Sequence, residues 1–246
     1  MYASDHPRVA LMTGANSGIG QPCSQALAEQ GYRVILAGRR IKQLNYTAGE
    51  LDGDTQAIEL DLPPPDSIDA LLARRPTHWR AIDVLINSAG DDRGGRRKFH
   101  ETDARDFRDV IDTNLLGLIH LTQVVIKGMV ARGHGHIVNV GSEQGVSAYP
   151  RTSVYSASKH GVHGFSECLR QDYADTDIRV TEILPGLVRS EFASNRWGDD
   201  ERAAQFYAKF SSVLFPQDIA AAVSYAFGQP PHVNVAQLTV QPGDKG

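Results

Sequence analysis

Short apolar runs rich in β-branched residues recur along the chain, at 8–12, 33–37, 57–60, 82–86, 136–140, 179–184 and 237–240. Most are nearly continuous in apolar residues rather than alternating, the pattern of strands buried on both faces of a parallel sheet. Between them lie stretches with helical spacing, at 17–30, 64–74, 104–132, 153–174 and 216–227. This alternation predicts an α/β fold in which a doubly wound parallel sheet of about seven strands carries helices on both faces, joined by right-handed crossovers. No Pro/Gly/Ser-rich linker interrupts it, so 1–246 is expected to be one domain. Two polar stretches break the rhythm, a loop at 91–98 and a longer insertion at 190–212 that carries Trp197, Phe206 and Tyr207. Both follow strand ends on the side where open α/β sheets bind ligands, and the second is expected to be a substrate loop.

Composition narrows the class. A chain of 246 residues is long enough to bury about three quarters of its unfolded surface without staples. Its two cysteines, Cys23 and Cys168, cannot form a disulfide framework and fit a reducing, cytoplasmic setting. Lys and Arg number 25 against 29 Asp and Glu, a formal net charge of -4, which argues against nucleic acid as a partner over the whole surface. Residues 1–7 hold no apolar run of the secretory type. The most apolar long stretch, 115–126, is interrupted by Gly117, His120, Thr122 and Gln123, and is expected to be too short and too polar to cross a membrane. No His/Cys cluster has metal-ligand spacing, so no metal site is expected, and His163 and His232 are read as packing or surface residues.

Chemistry enters at the first strand, which runs into Thr13-Gly14-Ala15-Asn16-Ser17-Gly18-Ile19-Gly20 ahead of a helix. Glycines at such a turn allow a backbone to approach a pyrophosphate, and the helix N-terminus presents free N–H groups to the anion. That placement makes the fold Rossmann-type. An NAD site wants an acidic residue about 20 residues further on, where this chain has Ala37-Gly38-Arg39-Arg40. Arginine suits a 2′-phosphate, so NADP(H) is expected, with Arg39 ahead of Arg40 as its ligand.

Tyr155 and Lys159 stand at i and i+4 on one helix face. A free tyrosine is ionised in only about one molecule in a thousand at pH 7. A lysine ammonium about 4 Å away, at an effective dielectric of about 20, contributes about 4 kcal/mol, on the order of three pKa units, before desolvation opposes it. Tyr155 is then expected to serve as acid or base near neutrality.

The glycine turn, Asn87-Ser88-Ala89-Gly90, Asn114, Ser142, the Tyr155/Lys159 pair and Pro185-Gly186 occur in one order along essentially the whole chain. In this the sequence resembles the short-chain dehydrogenase/reductase family. The resemblance implies that Tyr155 exchanges a proton with the substrate oxygen while hydride moves between nicotinamide and carbon. It further implies that Ser142 holds that oxygen, that Lys159 binds the nicotinamide ribose and lowers the tyrosine pKa, and that Asn114 orders a water in the proton relay. Gly14, Asn16, Ser17, Gly18, Ile19, Gly20, Arg39, Arg40, Asp61, Leu62, Asn87, Ala89 and Gly90 are implied as cofactor contacts. So are Tyr155, Lys159, Pro185, Gly186, Val188 and Ser190. The family commonly forms dimers or tetramers through helices matching 104–132 and 153–174, where Val162, Phe165 and Leu169 face either a partner or the sheet.

The stretches 135–142, 185–188, 190–192, 198–200 and 231–235 resemble the NADP-dependent 3-hydroxy acid (serine) dehydrogenases and related sulfoacetaldehyde and clavulanate-aldehyde reductases. This chain departs from them where it has the basic loop 91–98 with Arg93, Arg96, Arg97 and Lys98. It departs also at Glu143 and Gln144, at Arg151 where a glycine is usual, and at Arg189. These changes suggest a small-molecule substrate with an anionic group, and Arg151, Arg189 and Arg196 are candidates to clamp it. A reductase of bulkier neutral ketones or aldehydes is the alternative. A non-catalytic dinucleotide-sensing protein is a remote one, since it has no need of Ser142, Tyr155, Lys159 and Asn114 together.

Overall fold

The computed structural model describes residues 7–16, 18–62, 71 and 75–243. Ser17, and nearly all of the helix expected at 64–74, lie outside them. Among the described residues seven strands form one parallel sheet. They are β1 (Val9–Thr13), β2 (Arg33–Gly38), β3 (Thr55–Glu59), β4 (Ile82–Asn87), β5 (His134–Val140), β6 (Asp177–Pro185) and β7 (Gln237–Val240). Their order is β3-β2-β1-β4-β5-β6-β7, so the winding direction reverses between β1 and β4. That reversal opens a crevice at the carboxyl ends of the strands, the place where open α/β sheets bind ligands.

The continuous apolar runs feed two cores at once. In β1, Val9 and Leu11 pack into the layer on one face while Ala10 and Met12 pack into the other. The helices are α1 (Gly20–Glu29), α2 (Ile41–Glu50), α3 (Ala104–Ile111), α4 (Gly117–Arg132), α5 (Ser153–Asp172), α6 (Phe192–Trp197), α7 (Asp200–Tyr207) and α8 (Pro216–Phe227). One face is covered by α4 and α5, through Leu121, Val125, Met129 and Leu169. The other is covered by α1 and α8, through Cys23, Leu27, Ile219 and Val223. Val162 is fully buried and Leu169 nearly so, so both turn inward rather than outward from α5.

Three elements differ from expectation. Helix α2 was not anticipated, because Asn45, Thr47 and Gly49 are weak helix formers, yet Ile41, Leu44, Ala48 and Leu51 meet the core at helical spacing. The insertion after β6 is not irregular but holds α6 and α7, which share a small core of Ala193, Ala203 and Tyr207. The helix expected at 104–132 is unbroken, but a wider π turn at Asp112–Leu116 links α3 to α4. Over 29 residues this run is long and apolar enough to cross a membrane by length and composition, contrary to the expectation drawn from 115–126. Its residues Leu121, Val125 and Met129 are instead buried against the sheet, and Leu118 is buried as well.

One buried titratable group sets an acid limit on stability. His136 in β5 is buried, with Nε2 2.8 Å from the Thr181 hydroxyl. Burial, reinforced by the Arg179 charge, pushes its pKa down to about 3. An unfolded imidazole takes a proton below about 6.5. Protonation therefore favours the unfolded chain as pH falls from that value toward 3, at roughly 1 kcal/mol per pH unit. Thermal unfolding at pH 7 and pH 5 is expected to show a Tm loss that shrinks in His136→Gln; an equal loss in both proteins argues against it.

Candidate active site

A cavity of about 760 Å³ opens at the carboxyl ends of the strands and runs from the β1 turn to the insertion 190–212. At one end Gly14 has φ +66°, and a Cβ there would stand 3.0 Å from the Ala89 backbone. Only glycine lets the β1 and β4 turns come this close. Thr13 binds them together, its hydroxyl accepting from the N–H groups of Ser88 (3.1 Å) and Ala89 (3.2 Å). Helix α1 begins after Ile19 with no side-chain cap, so its first N–H groups remain available to an anion.

Gly14, Asn16, Gly18 and Ile19 line this end, with Arg39, Arg40, Asp61 and Leu62 across from them. Arg40 is engaged, its Nη2 lying 3.4 Å from both the Asn16 carbonyl and Glu191 Oε2. Arg39 is exposed and makes no ion pair with any described residue. Ala89, Gly90, Pro185, Gly186, Val188 and Ser190 also line the wall. Two expected contacts do not. Gly20 is packed against the Gly14 carbonyl, and Asn87 points into the sheet. The Asn87 amide donates to Thr122 Oγ1 (3.1 Å) and Asn139 Oδ1 (2.9 Å), in a polar layer that continues to Ser166.

At the middle of the cavity, two residues beyond the end of β5, stands Ser142, whose Oγ accepts from Gln144 N–H (3.1 Å) and meets the Tyr155 hydroxyl. Tyr155 is buried and its ring stands edge-on to Phe192, centroids 5.8 Å apart. Burial pushes its pKa up to about 12. The Ser142 hydrogen bond and the Arg196 charge oppose that rise, while Asp92 and Glu143 add to it. Lys159, one turn along α5, donates to the Val140 carbonyl (2.9 Å) with Nζ 5.8 Å from the Tyr155 ring centroid. Burial pushes the lysine down to about 8, and the Glu182 carboxylate opposes this. Spacing alone suggested that Lys159 brings Tyr155 toward neutrality. Among the protein's own groups the desolvation of both side chains outweighs that attraction.

Asn114, in the π turn, acts as a two-pronged clamp. Its Oδ1 accepts from Asp91 N–H (2.7 Å), while Nδ2 donates to the Asp91 carbonyl (2.8 Å) and to Ser158 Oγ (3.0 Å). Its side chain thus holds the start of the 91–98 loop beside α5. It is not on the cavity wall.

The three arginines proposed as a clamp part company. Arg196 lies on the wall, buried, with Nε 2.6 Å from Asp92 Oδ2. Arg151 is exposed and borders a separate small recess beside Gly94, and its φ of +66° explains why glycine suits this position. Arg189 is exposed and reaches back over the Tyr207 ring, 5.8 Å from its centroid. Asp92, Leu187 and Asn195 were not anticipated in this role. The pairing of Asp92 with Arg196 spans about a hundred residues, and no local pattern announces it. Arg96, Glu143, Phe206 and Phe210 complete this end of the wall. Among the described residues no group of three or more His, Cys, Asp or Glu side chains is placed to hold a metal ion.

Such an arrangement can position a dinucleotide along one half of the cavity. In the other half it offers a hydroxyl pair, Ser142 and Tyr155, to one substrate oxygen.

Comparison with known proteins gives concordant results. The family model described as short chain dehydrogenase matches residues 8–201. The chain is 40% identical over 236 residues to an NADP-dependent 3-hydroxy acid dehydrogenase, YdfG, of Salmonella typhi, covering 95% of this chain and 94% of that one. It is 37% identical over 235 residues to a sulfoacetaldehyde reductase of Chromohalobacter salexigens, covering 94% and 92%. Among solved structures, the closed form of serine dehydrogenase complexed with NADP+ superposes with a TM-score of 0.91 at 38% identity, covering 94% of each chain.

Proposed function

Since the chain belongs to the short chain dehydrogenase family, we propose that it interconverts a small acidic hydroxy compound, of 3-hydroxy acid or sulfonate type, with its aldehyde or ketone, using NADP(H). The observation that carries the proposal is the shared wall: Ser142 and Tyr155 meet in the same cavity as the glycine turn, with Arg196 beside them. The 3-hydroxy acid dehydrogenase relatives are NADP-dependent, and neighbours of known structure hold NADP.

The residues fit the cofactor. Gly14 and the open N-terminus of α1 suit the pyrophosphate, Arg39 suits a 2′-phosphate, and Lys159 suits the nicotinamide ribose. When bound, NADP(H) supplies or accepts a hydride. In reduction, Ser142 holds the carbonyl oxygen and Tyr155 donates its proton there; in oxidation the tyrosine takes that proton back. Lys159 offsets the charge that develops on the tyrosine oxygen. In this reading Asn114 contributes by holding the loop and α5 in place and, through its wide turn, by ordering a water in the proton relay.

Arg39→Ala removes a cation at the β2 end that has no ion-pair partner among the described residues. A charge-assisted contact of this kind is worth about 10- to 100-fold in affinity. The KM for NADPH is expected to rise by that factor while any NADH activity stays level, measured at 340 nm. An unchanged KM would assign the 2′-phosphate elsewhere.

The aromatic side of the wall, with Phe192, Phe206, Tyr207 and Phe210, favours a second reading, a bulkier neutral ketone or aldehyde. A panel of hydroxy acids, keto acids, sulfonates and neutral carbonyl compounds, followed at 340 nm, separates the two. Acids turned over no better than neutral analogues would reject the first. A dinucleotide sensor without turnover, the remote reading, predicts no activity on the whole panel.

We also propose a cytoplasmic enzyme of two or four chains, paired through α3–α4 and α5. Leu116 and Val130 are exposed on those helices, while Val162 and Leu169 are not available to a partner. Light scattering at chromatographic resolution tests the stoichiometry.

A further inference from the structure

The loop 91–98, anomalous in sequence, brings a second guanidinium to the substrate end. Arg96 is half-buried on the cavity wall, with Cζ 5.2 Å from the centroid of the Phe206 ring. Its Nε is buried with no hydrogen-bond partner, and it forms no ion pair with any described residue. Arg196 approaches the same place from α6. Its guanidinium lies 5.2 Å from the Phe192 ring, 5.3 Å from Trp197 and 6.0 Å from Phe206. The two arginines are near enough for each to feel the other's charge.

Asp92 sits between them in effect. It contacts Arg196 Nε at 2.6 Å, a close ion pair. The forked end of Arg196 has no acceptor among the described residues. Glu143, the other carboxylate facing Arg96, is engaged by Gln241 Nε2 (3.1 Å) and by the Tyr149 hydroxyl. Asp91 is engaged by Arg93 at 2.7 Å. Two guanidinium groups, partly stripped of water and stiffened by aromatic rings, thus have one carboxylate between them, Asp92, which touches Arg196 and reaches Arg96 only through its charge. A planar or tetrahedral anion is the chemistry that completes such a set.

We infer that Arg96 and Arg196 form an anion subsite for the acidic group of the substrate, with Asp92 as their shared counter-ion. Arg96 is the specificity-determining residue, and it takes the place that spacing had given to Arg151 and Arg189. The inference rests on the acidic-substrate reading above. Asp92 fixes Arg196 through Nε and leaves its fork free, while its negative charge tempers the attraction. A substrate carboxylate or sulfonate here lies within one side chain's reach of Tyr155, consistent with Asp92 and Arg196 both acting on the tyrosine charge.

The probes are 3-hydroxypropionate and its amide, which share a skeleton and differ in charge. Each is measured as KM in the NADP+-dependent direction at 340 nm. Independently of turnover, each is also measured as the concentration that half-saturates the thermal shift of the NADP+-loaded protein. Arg96→Gln is expected to weaken the acid by about 10- to 100-fold and the amide by less than about three-fold. Asp92→Asn keeps an acceptor for Arg196 and removes a negative charge, so the acid is expected to bind about three-fold tighter or more. A purely structural ion pair predicts the opposite, both probes weakened together in Asp92→Asn. Equal changes for acid and amide in Arg96→Gln overturn the subsite alone, provided the wild type prefers the acid. A wild type that prefers the amide, or neither turns over nor is stabilised by the acid, overturns the acidic reading and the subsite with it.

Discussion

Tyr155→Phe is expected to lower kcat by about 10²–10⁴-fold, the usual contribution of a positioned acid–base group, while leaving NADPH binding within a few-fold of wild type. The ring is already held by Phe192 and buried, so phenylalanine keeps the packing and removes only the hydroxyl. The Ser142 hydroxyl loses one neighbour and keeps its bond from Gln144 N–H. Turnover at 340 nm and NADPH fluorescence on the same sample separate chemistry from binding. A mutant with wild-type turnover assigns the proton to another group. The direction of the tyrosine's pKa sharpens this. Burial holds it near 12, so at neutral pH the hydroxyl is protonated and suited to donate to a carbonyl oxygen. Lowering of that pKa toward neutrality has to come from what binds in the cavity as well as from Lys159.

Lys159→Met is expected to abolish measurable turnover and at the same time to raise Tm by several degrees at pH 7. The ammonium is buried, its pKa pushed from 10.5 down to about 8, and among the described residues the Val140 carbonyl, the Tyr155 ring and the more distant Glu182 compensate it. An isosteric apolar chain relieves a cost of a few kcal/mol, part of which is returned by leaving that carbonyl unpaired. The pH dependence has a definite sign. Between about 8 and 10.5 the unfolded chain holds the proton and the folded one has lost it, so wild-type stability rises with pH across that window. Below it, the burial cost is present in full. The Tm advantage of Lys159→Met is therefore expected to be largest near pH 7 and to shrink as pH is raised through 8 toward 10. A mutant less stable than wild type at pH 7 would mean that Val140 and Glu182 compensate the charge completely.

Seven strands and most helices were legible because their apolar residues had to satisfy two core layers at once. Val9, Leu11, Ala10 and Met12 leave no other reading of their run. Helix α2 was hidden because tertiary contact at Leu44 overrides the weak propensities of Asn45, Thr47 and Gly49. The π turn was hidden as well, since one extra residue in a helical turn changes no apolar period that a short window can detect. At the site, Arg196 stands on the cavity wall whereas Arg151 and Arg189 do not, because position along the chain does not state where a side chain points. The Tyr155/Lys159 spacing told where the groups stand but not how dry they are. Dryness is what sets the direction of both pKa values.

The clamp that Asn114 places on Asp91 separates two kinds of evolutionary freedom. By gripping both polar atoms of one backbone residue, it gives the following loop a fixed point of departure, tied through Ser158 to the helix that carries Tyr155 and Lys159. Residues 93–98 can then be rewritten by mutation, and substrate preference with them where Arg96 acts as proposed, without Tyr155 and Lys159 being displaced. Recognition can drift while chemistry stands still.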